Sequence, residues 1–284
     1  MPNKRIQKPG TGLLLAGLVL MGGGKDVDAA FRWLIGKAVG GHVMVVRASG
    51  TDAYNPYILK FGAQSVETLI IKTPQEARDP QTLDKIRHAD ALWIAGGDQW
   101  NYVGTWGPSP VRDALQSLID RNVPFGGTSA GLAVLGQYSF TAEKDSITSA
   151  QALANPYHER VAIGTDFLRI PILKGIITDS HFVTRDRMGR LLVFLSRILV
   201  EHEGSDARAI AIDERTAALV EPSGVVSIEG DGPVFFVRAV TRPWVSPSSF
   251  LGVQATGWPG SFTVSASSSR RVAGVAFPSS KAAA

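Results

Sequence analysis

The sequence predicts an α/β fold in which a mainly parallel sheet is covered on both faces, followed by antiparallel strands toward the C-terminal end. Three observations predict it. Apolar runs of strand length recur without period-two alternation, the pattern of strands buried on both faces. Between them lie segments whose apolar residues recur at helical spacing, so that strands and helices alternate. After residue 216 the helical segments cease, and short apolar runs are separated by the turns Pro222-Ser-Gly224 and Gly230-Asp-Gly232.

Residues 13–21 form the first expected strand, which ends in Gly22-Gly-Gly24. A helix is expected over 29–39, where Ala30, Phe31, Leu34, Ile35 and Ala38 share a face, with Asp26 or Asp28 as its cap. His42–Ala48 is a second buried strand and leads into a polar loop over 49–56. A helix is expected to begin at Tyr57 and run to Gly62, and Val66–Ile71 is a third strand. A short helix over 83–89 precedes a fourth strand, Ala91–Ala95, which runs into Gly96-Gly-Asp-Gln99. Pro110 opens a helix over 111–121, and Val123–Gly126 is a fifth strand. Residues 139–170 lose the alternation and are expected to form an excursion over the sheet edge, a hairpin or a lid. Leu173–Thr178 is again a strand, Leu191–Val200 a helix and Ala209–Ile212 a strand. Antiparallel strands are expected over 217–220, 225–228 and 234–240. Beyond 242 the Ser-, Gly- and Pro-rich sequence predicts loop and edge strands. No linker divides the chain, so one domain over 1–284 is expected, with 1–11 and 270–284 flexible.

Functional loops of parallel sheets gather at the C-terminal ends of the strands. The turns at 22–26, 49–54, 96–101 and 127–131 all follow strands and are expected to share one edge. Gly127-Thr-Ser-Ala-Gly131 fits G-x-S-x-G, in which small flanks permit a sharp strand-to-helix turn that lifts the serine hydroxyl above the sheet. The helix that follows aims free N–H groups at the same point. Taken alone, such a pentapeptide is more often a glycine turn whose serine caps a helix. A reactive serine needs a base, and the base an orienting acid. Of the five histidines, His42 starts a strand at the wrong edge, His88 lies on an exposed helix, His158 sits in the excursion and His202 ends a charged helix. His181 follows a buried strand at the edge where Ser129 is expected. Glu214 follows a later strand at that edge, and Asp179 and Asp213 compete with it on placement. The order serine, histidine, acid differs from the serine, acid, histidine order of α/β-hydrolases.

Four motifs taken together resemble the cyanophycinase and peptidase E family of serine peptidases, family S51. They are Gly96-Gly-Asp-Gln99, Gly127-Thr-Ser-Ala-Gly131, Asp179-Ser-His-Phe-Val-Thr-Arg-Asp-Arg-Met-Gly-Arg190 and Ile212-Asp-Glu-Arg-Thr-Ala-Ala-Leu219. The likeness runs in order from the first strand to about residue 240. It implies a three-layer α/β/α sandwich like that of class I glutamine amidotransferases, with serine where those carry cysteine. It implies Ser129 as nucleophile, His181 as general base and Glu214 as orienting acid. The N–H groups of Gly97 and Ala130 would form the oxyanion hole, and Gln99 would lie beside the substrate. Arg185, Arg187 and Arg190 resemble cyanophycinase arginines whose role is around substrate binding. Guanidinium groups just after the base suit bidentate pairing with a carboxylate, although they can equally brace the following helix. The arginines favour the cyanophycinase branch, exopeptidases on a β-linked aspartate–arginine polymer. Rival readings are an α-aspartyl dipeptidase of peptidase E type, an esterase or amidotransferase-like enzyme on the same elbow, and a binding protein that keeps the fold without turnover. The resemblance is compatible with a homodimer.

Composition bounds the remaining choices. The 284 residues are 44% hydrophobic and 19% charged, with a net charge of +4 spread along the chain. No Lys/Arg block with interleaved aromatics points to nucleic acid. The absence of cysteine excludes disulfides, thiolate catalysis and cysteine metal sites. The triple glycine fails the G-x-G-x-x-G spacing because Val27 stands at its last position, so no dinucleotide is expected, nor any other cofactor or metal. Lys4, Arg5 and Lys8 before the apolar run Gly12–Met21 resemble the start of a signal peptide. That run is too short to span a membrane and ends in glycines without an A-x-A-like site. It reads as a buried first strand, with a cytoplasmic location and no membrane partner; a signal segment over 1–24 would instead imply a secreted or periplasmic protein.

Overall fold

The computed structural model describes residues 16–202, 206–241 and 260–267. The ends expected to be flexible, 1–11 and 270–284, lie outside these residues, as does the charged stretch before the first strand. The chain alternates through β1 (Leu18–Met21), α1 (Asp28–Lys37), β2 (His42–Arg47), α2 (Tyr54–Leu59), β3 (Ser65–Ile70), α3 (Pro80–Arg87), β4 (Ala91–Ile94), α4 (Pro110–Asp120) and β5 (Phe125–Thr128). It continues through α5 (Ala130–Ala133), β6 (Tyr138–Phe140), α6 (Ser149–Ala154), β7 (Ile163–Thr165), β8 (Ile176–Asp179) and α7 (Met188–Glu201). The last strands are β9 (Asp206–Ile212), β10 (Thr216–Val220), β11 (Val226–Gly230), β12 (Val234–Thr241) and β13 (Gly260–Ser267). A central parallel sheet flanked by helices, with antiparallel strands toward the C-terminus, is therefore the observed fold.

Sequence periodicity reports burial and not pairing, and the strands divide between two sheets. The first has the order β11-β10-β1-β5-β4-β2-β3, parallel from β1 to β3 with β10 and β11 antiparallel at one side. The second has the order β13-β12-β9-β8-β6-β7, of which β9, β8 and β6 are parallel. Both faces of the first sheet are covered, which is why its strands are continuously apolar. Val19, Met21, Val43 and Val45 pack with Phe31 and Leu34 of α1 and Ile58 of α2. The alternate residues Leu18, Leu20, Met44 and Val46 belong to a second core with Leu115 and Leu118 of α4, where Ile210 and Ile212 of β9 also pack. The opposite face of β9 and β8, with Ala209, Ala211 and Ile177, meets Leu191, Phe194 and Leu195 of α7.

Several boundaries depart from the sequence reading. Neither Asp26 nor Asp28 caps α1, whose N-cap Val27 makes no side-chain bond. The two carboxylates instead accept from Tyr54 (3.2 Å) and Tyr57 (2.6 Å). α2 begins at Tyr54, since Pro56 falls in its first turn, where a missing N–H costs nothing. A π-helical turn, Asn101–Trp106, was not legible; it is anchored by Tyr102 Oη to the Ala95 carbonyl (2.9 Å) and Trp106 Nε1 to the Ile71 carbonyl (3.1 Å). The excursion over 139–170 is part of the second sheet: β6 pairs antiparallel with β7 and parallel with β8. Of the two forms expected there, the pairing is that of a hairpin. Among the described residues no helix is long and apolar enough to cross a membrane.

Candidate active site

The two sheets meet where the chain passes from β9 to β10, and the residues singled out in the sequence gather at that junction. Ser129 follows β5, between β1 and β4 in the first sheet. Its backbone stands at φ 55° and ψ −116°, a conformation costing a non-glycine residue about 1–3 kcal/mol. The surroundings hold it there: Ser129 N–H donates to the Met21 carbonyl (3.1 Å). The sharp turn brings the start of α5 so close to β4 that any Cβ at Gly131 would overlap the Ile94 carbonyl. Small residues flank the serine for that steric reason.

His181 and Glu214 come from the second sheet. β8 and β9 are parallel neighbours with Asp179 opposite Ala211, so the residues just beyond them lie level at one edge. His181 Nε2 lies 2.7 Å from Ser129 Oγ, and His181 Nδ1 lies 2.6 Å from Glu214 Oε1. A carboxylate can only accept, so a neutral ring carries its proton on Nδ1 and leaves Nε2 to accept from the hydroxyl. The competing carboxylates are engaged elsewhere. Asp213 accepts from Val183 N–H (3.1 Å) and Thr184 N–H (2.9 Å), and Asp179 is held by arginines. Burial pushes the His181 pKa below the ordinary 6.5; the Glu214 hydrogen bond opposes this, and the Arg185 and Arg187 charges reinforce it. The ring is therefore neutral, and able to take a proton, at neutral pH.

A cavity of about 50 Å³ opens beside the serine. Ser129, His181, Gly97, Ala130, Gln99, Arg185, Arg187 and Arg190 all line it, while Glu214 sits behind His181. Among the described residues neither the Gly97 nor the Ala130 N–H enters a turn or loop hydrogen bond, which leaves both able to meet a developing negative charge. Gln99 is tethered through Nε2 to the Phe140 carbonyl (3.2 Å).

The three arginines differ sharply in their surroundings. Arg190 is 2% exposed and grips Asp179 bidentately, Nε to Oδ2 at 3.0 Å and Nη2 to Oδ1 at 2.5 Å. Its guanidinium lies 5.0 Å from the Phe140 ring centre and 5.6 Å from that of Phe194. Arg187 donates to the Ser180 carbonyl (2.7 Å) and to Asp179 (3.3 Å); burial pulls its pKa down to about 10, leaving it charged at neutral pH. Arg185 is exposed, and its guanidinium has no partner among the described residues. Asp179, Ser180 and Phe140 also line the cavity and were not among the sequence candidates for binding. Asp179 could have been found, since it opens the motif that contains His181. Phe140 lies in the irregular excursion, where nothing marked it. Among the described residues no group of three or more His, Asp or Glu side chains is placed to hold a metal ion.

Comparison with known proteins gives a consistent result. Peptidase family S51 matches residues 14–223. The chain is 27% identical over 187 residues to a cyanophycinase of Geminocystis herdmanii, covering 66% of this chain and 63% of that protein. It is 28% identical over 179 residues to a cyanophycinase of Trichormus variabilis, covering 63% and 55% respectively. The chain thus spans less than two thirds of the length of these relatives. The crystal structure of a peptidase from an acI-B1 actinobacterium shares the fold, with a TM-score of 0.55 at 16% identity over 78% of this chain and 91% of that one. Because the family match extends from the first strand through β10, the chain belongs to peptidase family S51.

Proposed function

We propose that this chain is a serine exopeptidase of the cyanophycinase-like branch, hydrolysing β-aspartyl-arginine peptides through Ser129, His181 and Glu214. The observation that carries this reading is the continuous hydrogen-bond chain from Ser129 Oγ through the His181 ring to Glu214, at 2.7 and 2.6 Å, set on a strained elbow. His181 Nε2 takes the hydroxyl proton as Oγ attacks the amide carbonyl, and the carbonyl oxygen becomes an oxyanion held by the Gly97 and Ala130 amides. His181 returns the proton to the leaving amine as the C–N bond breaks. A water then gives its proton to Nε2 and attacks the acyl-enzyme, releasing the acid and restoring Ser129. Glu214 keeps the ring in the required tautomer and stabilises the imidazolium. The unpaired Arg185 is the cavity arginine best placed to take a substrate carboxylate, and Gln99 borders the same space. The participating residues come from both sheets, in keeping with one catalytic domain.

The deciding experiment pairs a fluorophosphonate probe with a peptide panel. Labelling of Ser129 and preferential cleavage of β-Asp-Arg are expected. Preference for α-Asp-X dipeptides would favour the peptidase E type, and a protein that neither labels nor turns over would be a fold-retaining binder. Arg185→Ala is expected to raise KM by about 10-fold or more on β-Asp-Arg, the worth of one charge-assisted pairing, with kcat changed less.

The pH dependence follows from His181. Only the neutral ring is a base, and its folded pKa lies below 6.5, so kcat/KM is expected to stay level down to that pH and fall beneath it. The same shift makes stability decline as pH falls from 6.5 through the folded value, because the unfolded chain takes up the proton first. NMR titration of the His181 ring checks this; a midpoint above 6.5 would contradict it.

A further inference from the structure

We infer that Met21–Gly24, a glycine turn in the sequence, is the positioning element of the site: consecutive carbonyls tether Ser129, His181 and the residue directly after Glu214, and bare Cα atoms seat the His181–Glu214 pair. The inference rests on the triad reading above. Three bonds tie the segment to the site. The Met21 carbonyl accepts from Ser129 N–H (3.1 Å), the Gly22 carbonyl from His181 N–H (2.8 Å), and the Gly23 carbonyl from the N–H of Arg215, directly after Glu214 (2.9 Å). A fourth runs the other way, Gly22 N–H to the Thr216 carbonyl (3.0 Å). The tethered residues share a peculiarity. Ser129, His181 and Arg215 all hold positive φ, at 55°, 47° and 55°, and each donates its N–H to this one segment. Strained backbone persists where its surroundings over-determine it, and here a single stretch of four residues supplies that determination three times.

The glycines add a steric part. A Cβ on Gly23 would lie 2.5 Å from His181 Cε1 and 2.6 Å from Nε2, the atom that meets Ser129 Oγ. A Cβ on Gly24 would lie 2.9 Å from Glu214 Oε2. The ring and the carboxylate therefore rest directly on glycine backbone, and any side chain at position 23 must displace the imidazole from the serine. A turn that merely needed glycine for its φ would show no such contacts. Gly62 is that case: its φ of +98° is close to the +105° of Gly23, but nothing lies within 4 Å of its missing Cβ.

The test compares Gly23→Ala, Gly24→Ala and Gly62→Ala in the full chain. The readouts are thermal melting, fluorophosphonate labelling of Ser129, and the low-field proton NMR signal of the His181 Nδ1–H, assigned by its loss in His181→Gln. All three variants are expected to melt lower. In Gly62→Ala the His181 signal and the labelling rate stay as in the wild type. In Gly23→Ala the signal moves or disappears and labelling slows by about 100-fold or more, the usual penalty for misplacing a reacting group by about 1 Å. On the peptide this loss falls on kcat, with KM little changed. Gly24→Ala shifts the same signal less, because the carboxylate end can yield. Should Gly23→Ala fail to fold, the signal in Gly24→Ala decides. A native His181 signal and native labelling in the folded glycine-turn variants would overturn the inference. The NMR readout needs no substrate, so an error in the proposed peptide would leave it intact. A wild-type protein that shows the signal but never labels would count against the proposed function instead.

Discussion

Ser129→Ala is expected to lower turnover of any accepted peptide by about 10⁴-fold or more while the protein still folds. In the proposed mechanism the hydroxyl supplies the attacking atom, and without it the remaining groups can only orient water. The fold should survive because the strained turn is held by backbone: Ser129 N–H to Met21, and the close approach of Gly131 to β4, do not involve Oγ. The variant loses the 2.7 Å bond to His181 Nε2, a net stabilisation of about 0.5–1.5 kcal/mol at most, and keeps the bond between His181 and Glu214. Steady-state kinetics and a melting curve on the same preparation check both halves. Turnover like the wild type would remove Ser129 from the mechanism, and a variant that does not fold would make the elbow's stability depend on its hydroxyl.

Asp179→Ala carries the largest expected loss of stability, about 3–5 kcal/mol, the usual cost of leaving a buried charge without its partner. The side chains of Arg190 and Asp179 are only 2% and 4% exposed, so water screens the pair poorly. With the carboxylate gone, the only hydrogen bond left to the Arg190 guanidinium among the described residues is the long one to Ser146 Oγ (3.5 Å), beside the Phe140 and Phe194 rings. Arg187 still has the Ser180 carbonyl. The double variant Asp179→Ala/Arg190→Met should recover much of the loss, because an apolar chain between Phe140 and Phe194 needs no counter-charge. Urea unfolding of the set measures both effects. A single variant within about 1 kcal/mol of the wild type would mean that the pair contributes little, contrary to its burial. Activity is expected to fall as well, since Asp179 and both arginines it holds line the cavity.

Legibility differed from one residue to another. Ser129 stood out because its reactivity needs a local device, a sharp turn between small residues, and local devices leave local patterns. His181 emerged by placement, since the other histidines fall at the wrong edge, on exposed helices or in the excursion. The acid did not emerge that way: Asp179, Asp213 and Glu214 all follow strands, and only the motif resemblance pointed to Glu214. In the structure the 2.6 Å contact to His181 belongs to Glu214, because that residue lies in the link from β9 to β10, where one sheet hands the chain to the other. Arg185, Arg187 and Arg190 are equivalent members of a motif until Asp179 claims two of them and leaves the third unpaired.

The sequence by itself determined the succession of strands and helices, the elbow around Ser129 and the short list of residues able to work with it, because periodicity and turn chemistry act within a few residues of chain. The tertiary structure alone decided that the strands form two sheets, which carboxylate meets His181, which arginine stays free and what the triple glycine touches. Each of these depends on contacts between segments far apart in the chain, and burial patterns say that a residue is covered without saying by what.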